Sequence, residues 1–228
     1  KLTQIADNVP KVYEAGQKSE NDRFWDSVQD NGKRTSYQFA FAWWNYEYIR
    51  PKYKVAPTAG HMGQMFNNNK SLKKIEAEYF DFSKVPVAAY ASNGLYYTFQ
   101  FCYELEEIEA ELPGDFLSGT FHSCSKLHTI AKIKVKETTT FTANPFYECT
   151  ALEEIRFEGV IGNSLDIHWS TKLSMLSLVS IVNALSKTVS GQSITLPTTA
   201  RQTYDDATYA GRWDELVAEY PNWSFKYS

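Results

Sequence analysis

His122, Cys124 and His128 offer the most chemistry in this sequence. Two imidazoles and a thiol this close in the chain are raw material for a zinc site or a Cys/His nucleophilic pair, because both need sulfur beside a ring nitrogen. Their convergence depends on where each side chain points, and the surrounding residues decide that. Phe121, Cys124, Leu127 and Ile130 recur at every third position, which marks one inward-facing row. His122 and His128 each follow an inward residue and should face away from Cys124. The thiol is therefore expected to be structural, since cysteine packs as a small hydrophobe and is among the most buried residue types. The chain has 3 cysteines, an odd number that leaves at least one thiol unpaired. No catalytic residue, metal ligand or cofactor is assigned.

The element that must position these residues is repeated. The pattern Phe-x-x-Cys-x-x-Leu-x-x-Ile occurs as Phe66/Asn69/Leu72/Ile75, Phe99/Cys102/Leu105/Ile108, Phe121/Cys124/Leu127/Ile130 and Phe146/Cys149/Leu152/Ile155. All the cysteines fall at one repeat position, where the first copy has Asn69. A unit of ~22 residues cannot bury its apolar face alone, so consecutive units stack and share a core. The expected fold class is α/β, a leucine-rich repeat solenoid with a short parallel strand ladder and a cap at each end. After each Leu the chain reads as extended. Ile108, Ala110 and Leu112 alternate with Glu109 and Glu111, and Ile133 and Val135 alternate with Lys132, Lys134 and Lys136. Stacking sets Lys132 and Lys134 beside Glu109 or Glu111, giving exposed ion pairs worth ~0–1 kcal/mol each.

The flanks read as covers for the two ends of the stack. Residues 1–65 form an N-terminal helical and aromatic cap, 66–162 the repeats, and 163–228 a C-terminal cap, with no linker between them. Ile5 to Lys18 and Asn21 to Gln29 read as short helices. The aromatic run Tyr37, Phe39, Phe41, Trp43, Trp44, Tyr46 and Tyr48 is read as a plug on the first coil in preference to a platform for a sugar or base. Leu173 to Ser186, with Leu176, Val179, Ile181, Val182 and Leu185, reads as an amphipathic closing helix. A strand at Ser193 to Leu196, a helix from Arg212 to Tyr220 and a strand alternating Trp223, Phe225 and Tyr227 follow.

The stretches "TFHSCSKLHTI" and "PFYECTALEEI" resemble the BspA-like leucine-rich repeats of bacterial surface antigens over about Phe66 to Gly162. The flanking "IADNVPKVYEAGQKSENDRFWDSVQDNGKRTSYQFAFA" and "IVNALSKT" are similar to phage- and prophage-encoded leucine-rich repeat tail proteins of gut Firmicutes. The resemblance implies recognition of a protein or cell-surface glycan at an extracellular location, on a bacterial surface or virion. A structural tail component, with self-association, is the alternative. A glycan-active enzyme is a third reading, and it requires two carboxylates ~5–9.5 Å apart. Asn69, the long first interval and the small number of copies depart from the family pattern.

That long interval, from Phe66 to Phe99, places extra chain between Asp81 and Thr98. Its Tyr90, Asn93, Tyr96 and Tyr97 form the candidate binding site, by the adaptable tyrosine-rich chemistry common at binding surfaces. The same tyrosines packed inward on an irregular coil fit the sequence equally well. The run Glu104, Glu106, Glu107, Glu109 and Glu111 is read as a solvated face, since no calcium-loop spacing accompanies it. Phosphate-binding glycine loops, GxSxG, HExxH and zinc-finger spacings are absent from the sequence. A net charge of −4 argues against a nucleic-acid partner. The most apolar run, Leu173 to Leu185, is too short to insert in a membrane. No secretory leader is legible at Lys1-Leu2-Thr3-Gln4, though one removed earlier would leave the same start.

Overall fold

Isoleucine is a strong strand former, and each copy of the repeat ends on one. The computed structural model describes residues 12–14, 41–51, 54–56, 62–83, 94–207 and 212–228. Among them the strands are β1 (Val12–Glu14), β2 (Tyr48–Arg50), β3 (Lys74–Ile75), β4 (Glu107–Ile108), β5 (Leu112–Pro113), β6 (Phe116–Ser118), β7 (Thr129–Val135), β8 (Thr140–Thr142), β9 (Glu154–Gly159), β10 (Leu165–Asp166), β11 (Gln192–Leu196) and β12 (Trp223–Tyr227). The helices are α1 (Met175–Asn183), α2 (Ala200–Asp206) and α3 (Trp213–Ala218). The fold is mixed α/β, with few helices, and every strand pairing among the described residues is parallel.

The repeat isoleucines form one row across the main sheet. Ile75 pairs with Ile108, Ile108 with Ile130 and Ile130 with Ile155. A second row runs Leu112, Ile133 and Phe157, and the register shifts between Ile130 and Ile133. That shift inserts Ala131 and Lys132 as a bulge, so Ile130, Ile133 and Val135 all stay buried while Lys132 and Lys134 reach outward. A separate three-stranded sheet aligns Leu165, Ile194 and Phe225.

The repeat phenylalanines build a second column inside. Phe41, Phe66, Phe99, Phe121 and Phe146 lie face to face, with successive centroids 5.3, 5.3, 5.7 and 5.3 Å apart. Cys102, Cys124 and Cys149 are fully buried, and each thiol donates to the phenylalanine carbonyl of the preceding turn: Phe66 at 3.1 Å, Phe99 at 3.0 Å and Phe121 at 3.1 Å. Thr98 and Thr120 do the same with their hydroxyls, toward Met62 and Leu95. The buried thiols and these two threonine hydroxyls thus each have a partner one turn away.

Phe41 reveals a fifth turn that the four-copy pattern omits. Trp43, Asn68, Phe101, Ser123 and Glu148 each stand two residues after a column phenylalanine, and all have φ between 57° and 63°. Non-glycine residues are uncommon there. Inter-turn hydrogen bonds hold them: Trp43 N donates to Asn67 O, Asn68 N to Gln100 O, Phe101 N to His122 O and Ser123 N to Tyr147 O.

Helix α1 covers the outer edge of β9 by an unexpected device. Ser177 Oγ accepts from Ile155 N at 2.9 Å, and Ser180 Oγ accepts from Phe157 N at 2.9 Å. Ser174 caps the helix by accepting from Ser177 N. The buried face comprises Ser177, Leu178, Ile181 and Val182, whereas Leu176 is 65% exposed. Leu176, expected on the apolar face, is therefore outside it, because the serines must face the strand edge.

One further expectation is corrected. Val12–Glu14, placed within a helix from the sequence, is strand β1, paired with β2 through Val12 and Tyr48. Val12 and Tyr13 are β-formers, and pairing prevails over the weak helical pattern. The remainder of that segment and the helix at Asn21 to Gln29 lie outside the described residues. The expected cross-turn ion pairs do form. Lys132 and Lys134 both meet Glu111, whereas Glu109 is held by Lys74 at 2.6 Å. Helix α2, opened by Ala200, went unmarked because its sequence carries neither a polar cap bond nor an apolar stripe.

Candidate binding surface

Cys124, His122 and His128 do not converge. Burial pushes the Cys124 thiol well above its ordinary range, and Cys102 is pushed up to about 12 by the same desolvation. His128 is exposed, with Nδ1 3.0 Å from Thr129 Oγ1. Glu104, Glu107, Glu109 and Glu111 of the acidic run are likewise paired with lysines. Lys74 holds Glu107 and Glu109, and Lys126 holds Glu104. The Lys74 ammonium keeps Glu109 below the ordinary carboxylate range. Burial works in the opposite direction on Glu111, but hydrogen bonds from Lys132 and Lys134 outweigh it, so its carboxyl is also lowered.

Of the four candidate site residues, Tyr90 and Asn93 lie outside the described residues. Tyr96 and Tyr97 are half-buried, their rings edge to face at 4.3 Å. Tyr97 lies directly over Gly119, where any Cβ would be 2.0 Å from the ring, so that glycine exists to admit it. Tyr96 lies against Phe116 at 6.4 Å. Their backbones are bonded between neighbouring turns, with Gln64 N donating to Tyr96 O and Tyr97 N to Ser118 O. Both tyrosines thus bed partly on their own chain and keep part of each ring in solvent.

A second surface went unremarked in the sequence. Phe101, His122, Tyr147 and Trp169 form a row across successive turns, with neighbouring centroids 5.6, 4.5 and 4.9 Å apart. His122 and Tyr147 both directly follow a column phenylalanine, so the stacking of turns that aligns the phenylalanines aligns them too. That repeat position was the available signal. All four rings are half-buried, and Tyr103, beside Phe101 at 6.0 Å, is exposed.

Hydrogen bonding orients the row. Ser123 Oγ donates to Glu148 Oε2 at 2.8 Å and lies 2.9 Å from His122 Nδ1. A hydroxyl has one proton, so Nδ1 must donate to Ser123, leaving Nε2 of the neutral ring an acceptor. Tyr147 Oη, His122 Nε2 and Trp169 Nε1 bond to no other side chain among the described residues. At the end of the row, His168 Nδ1 contacts Asp166 Oδ1 at 2.6 Å. No group of three or more His, Cys, Asp or Glu capable of holding a metal occurs among the described residues, and no described helix is long and apolar enough to cross a membrane.

The sequence matches no protein-family model, and comparison with curated proteins and with solved structures also returns no match.

Proposed function

We propose that this chain is a leucine-rich repeat solenoid of the BspA-like kind, acting as a non-catalytic module that recognises protein or glycan at a bacterial surface or phage tail. The solenoid reading is supported by the unbroken phenylalanine column and by thiols that each bond one turn back. The observation that carries the recognition reading is the row of half-exposed aromatic rings across consecutive turns. Rigid repeats present such side chains at fixed spacing, which lowers the ordering cost of binding. On the ladder, Glu107, Glu109 and Glu111 are engaged by lysines.

One feature favours a structural virion component as a second reading. Strand β12 ends its sheet among the described residues, with Tyr227 45% exposed, and such an edge accepts a strand from another subunit. Binding of labelled protein to intact bacterial cells, with and without calcium, separates the two. Saturable binding is expected for recognition. Self-association with no cell binding selects the structural part.

A further inference from the structure

We infer that the His122, Tyr147 and Trp169 row is a subsite for a linear neutral glycan, whose chain runs along the stack of turns. The inference rests on the recognition reading and adds the ligand class and its place. Three properties lead to it.

The first is that the ring edges carry uncommitted hydrogen-bonding atoms of both kinds. His122 Nε2 accepts, Trp169 Nε1 donates and Tyr147 Oη does either. Hydroxyl-rich ligands need such mixed partners. The second is spacing. The rings repeat at 4.5 and 4.9 Å, following the turns. An extended peptide shows the same face only every second residue, about 6.6–6.8 Å, and falls out of step within two turns. An equatorially linked pyranose chain advances by nearly one turn spacing per sugar; alternate sugars are turned over, but each carries hydroxyls around its whole edge, so either orientation can meet a ring. The third is the character of the flanks. Phe101 and exposed Tyr103 adjoin one end with apolar ring surface for the C–H side of a pyranose, and the Asp166–His168 pair adjoins the other with polar groups. The row itself carries no lysine or arginine, which disfavours a phosphorylated or sulfated chain.

The test is titration of the protein with di-, tetra- and hexasaccharides of the cello, chito and manno series, alongside glycan and peptide arrays and binding to intact cells. Affinity for one series should rise from di- to tetrasaccharide and then level. Tyr147→Phe, which retains the ring, and Trp169→Phe, which keeps a smaller aromatic ring, should each weaken it about three- to tenfold by losing a hydrogen bond. Arg201→Ala, on helix α2 and outside the row, should leave it unchanged. Unaltered saccharide binding in both ring variants overturns the subsite. Binding to peptides or cells with none to any saccharide overturns the glycan but leaves recognition standing. No binding to cells or to either array removes both.

Discussion

The cysteine column shows how much one residue position can specify. Cys102, Cys124 and Cys149 have no exposure, donate to backbone carbonyls and are held protonated by burial. A thiolate is the reactive species, so Cys124 should resist a thiol-directed probe in native buffer and label only with unfolding. Prompt labelling of the folded protein would show that the column opens to solvent. Asn69 occupies the same position in the first copy without the same solution. It is fully buried, and neither its Nδ2 nor its Oδ1 meets a hydrogen-bond partner. In this register a thiol at 69 would face the Phe41 carbonyl, one turn back. Asn69→Cys should therefore stabilise the protein by ~1–3 kcal/mol, the usual cost of an unpaired buried polar group. A lower midpoint in chemical denaturation would show that Asn69 is needed where it stands.

At the scale of elements, α1 and the charged ladder solve different problems. An exposed edge strand invites pairing with other chains, and α1 blocks that on β9 with hydroxyls instead of apolar bulk. Ser177 Oγ accepts from Ile155 N and donates to Glu153 O at 2.8 Å, so Ser177→Ala should cost ~1–3 kcal/mol by stranding a buried amide. An unchanged melting temperature would mean that the helix docks by apolar packing alone. The ladder contributes through charge. Glu109 and Glu111 have folded-state pKa values below the ordinary 4.5, so their stabilisation is present above that pH and is lost as pH falls through the lowered folded values. Both are partly exposed, so the effect is ~0–1 kcal/mol per pair. Glu111→Gln should flatten the loss of stability between pH 5 and 3, as read from denaturation midpoints, relative to the parent protein. A loss as steep as the parent's would assign the acid limb to other carboxylates.

For the whole molecule, legibility followed periodicity. The four Phe/Cys/Leu/Ile copies, the outward Lys132 and Lys134 and the closing helix were all readable because the inward spacing repeats and fixes each side chain's direction. The fifth turn at Phe41 was not, since Trp44 and Glu47 replace Cys and Leu and only the backbone preserves the pattern. The aromatic row was hidden for a related reason. His122 and Tyr147 share no residue type with Gln100 or Asn67 at the same repeat position, so their alignment emerges only from stacking. The sequence also contains no linker between the repeats and the C-terminal region, and α1 is bonded directly to β9. This continuity has a thermodynamic consequence, because neighbouring turns that share a core unfold together when their interfaces are strong. Leu127 lies in the central column and Leu196 in the C-terminal sheet, and both are fully buried. Leu127→Ala and Leu196→Ala should each destabilise by ~2–5 kcal/mol and shift a single transition, with tryptophan fluorescence and far-ultraviolet circular dichroism coinciding. If Leu196→Ala instead splits the transition, and Leu127→Ala moves only the later step, the C-terminal sheet is an independent folding unit and the single stack ends at α1.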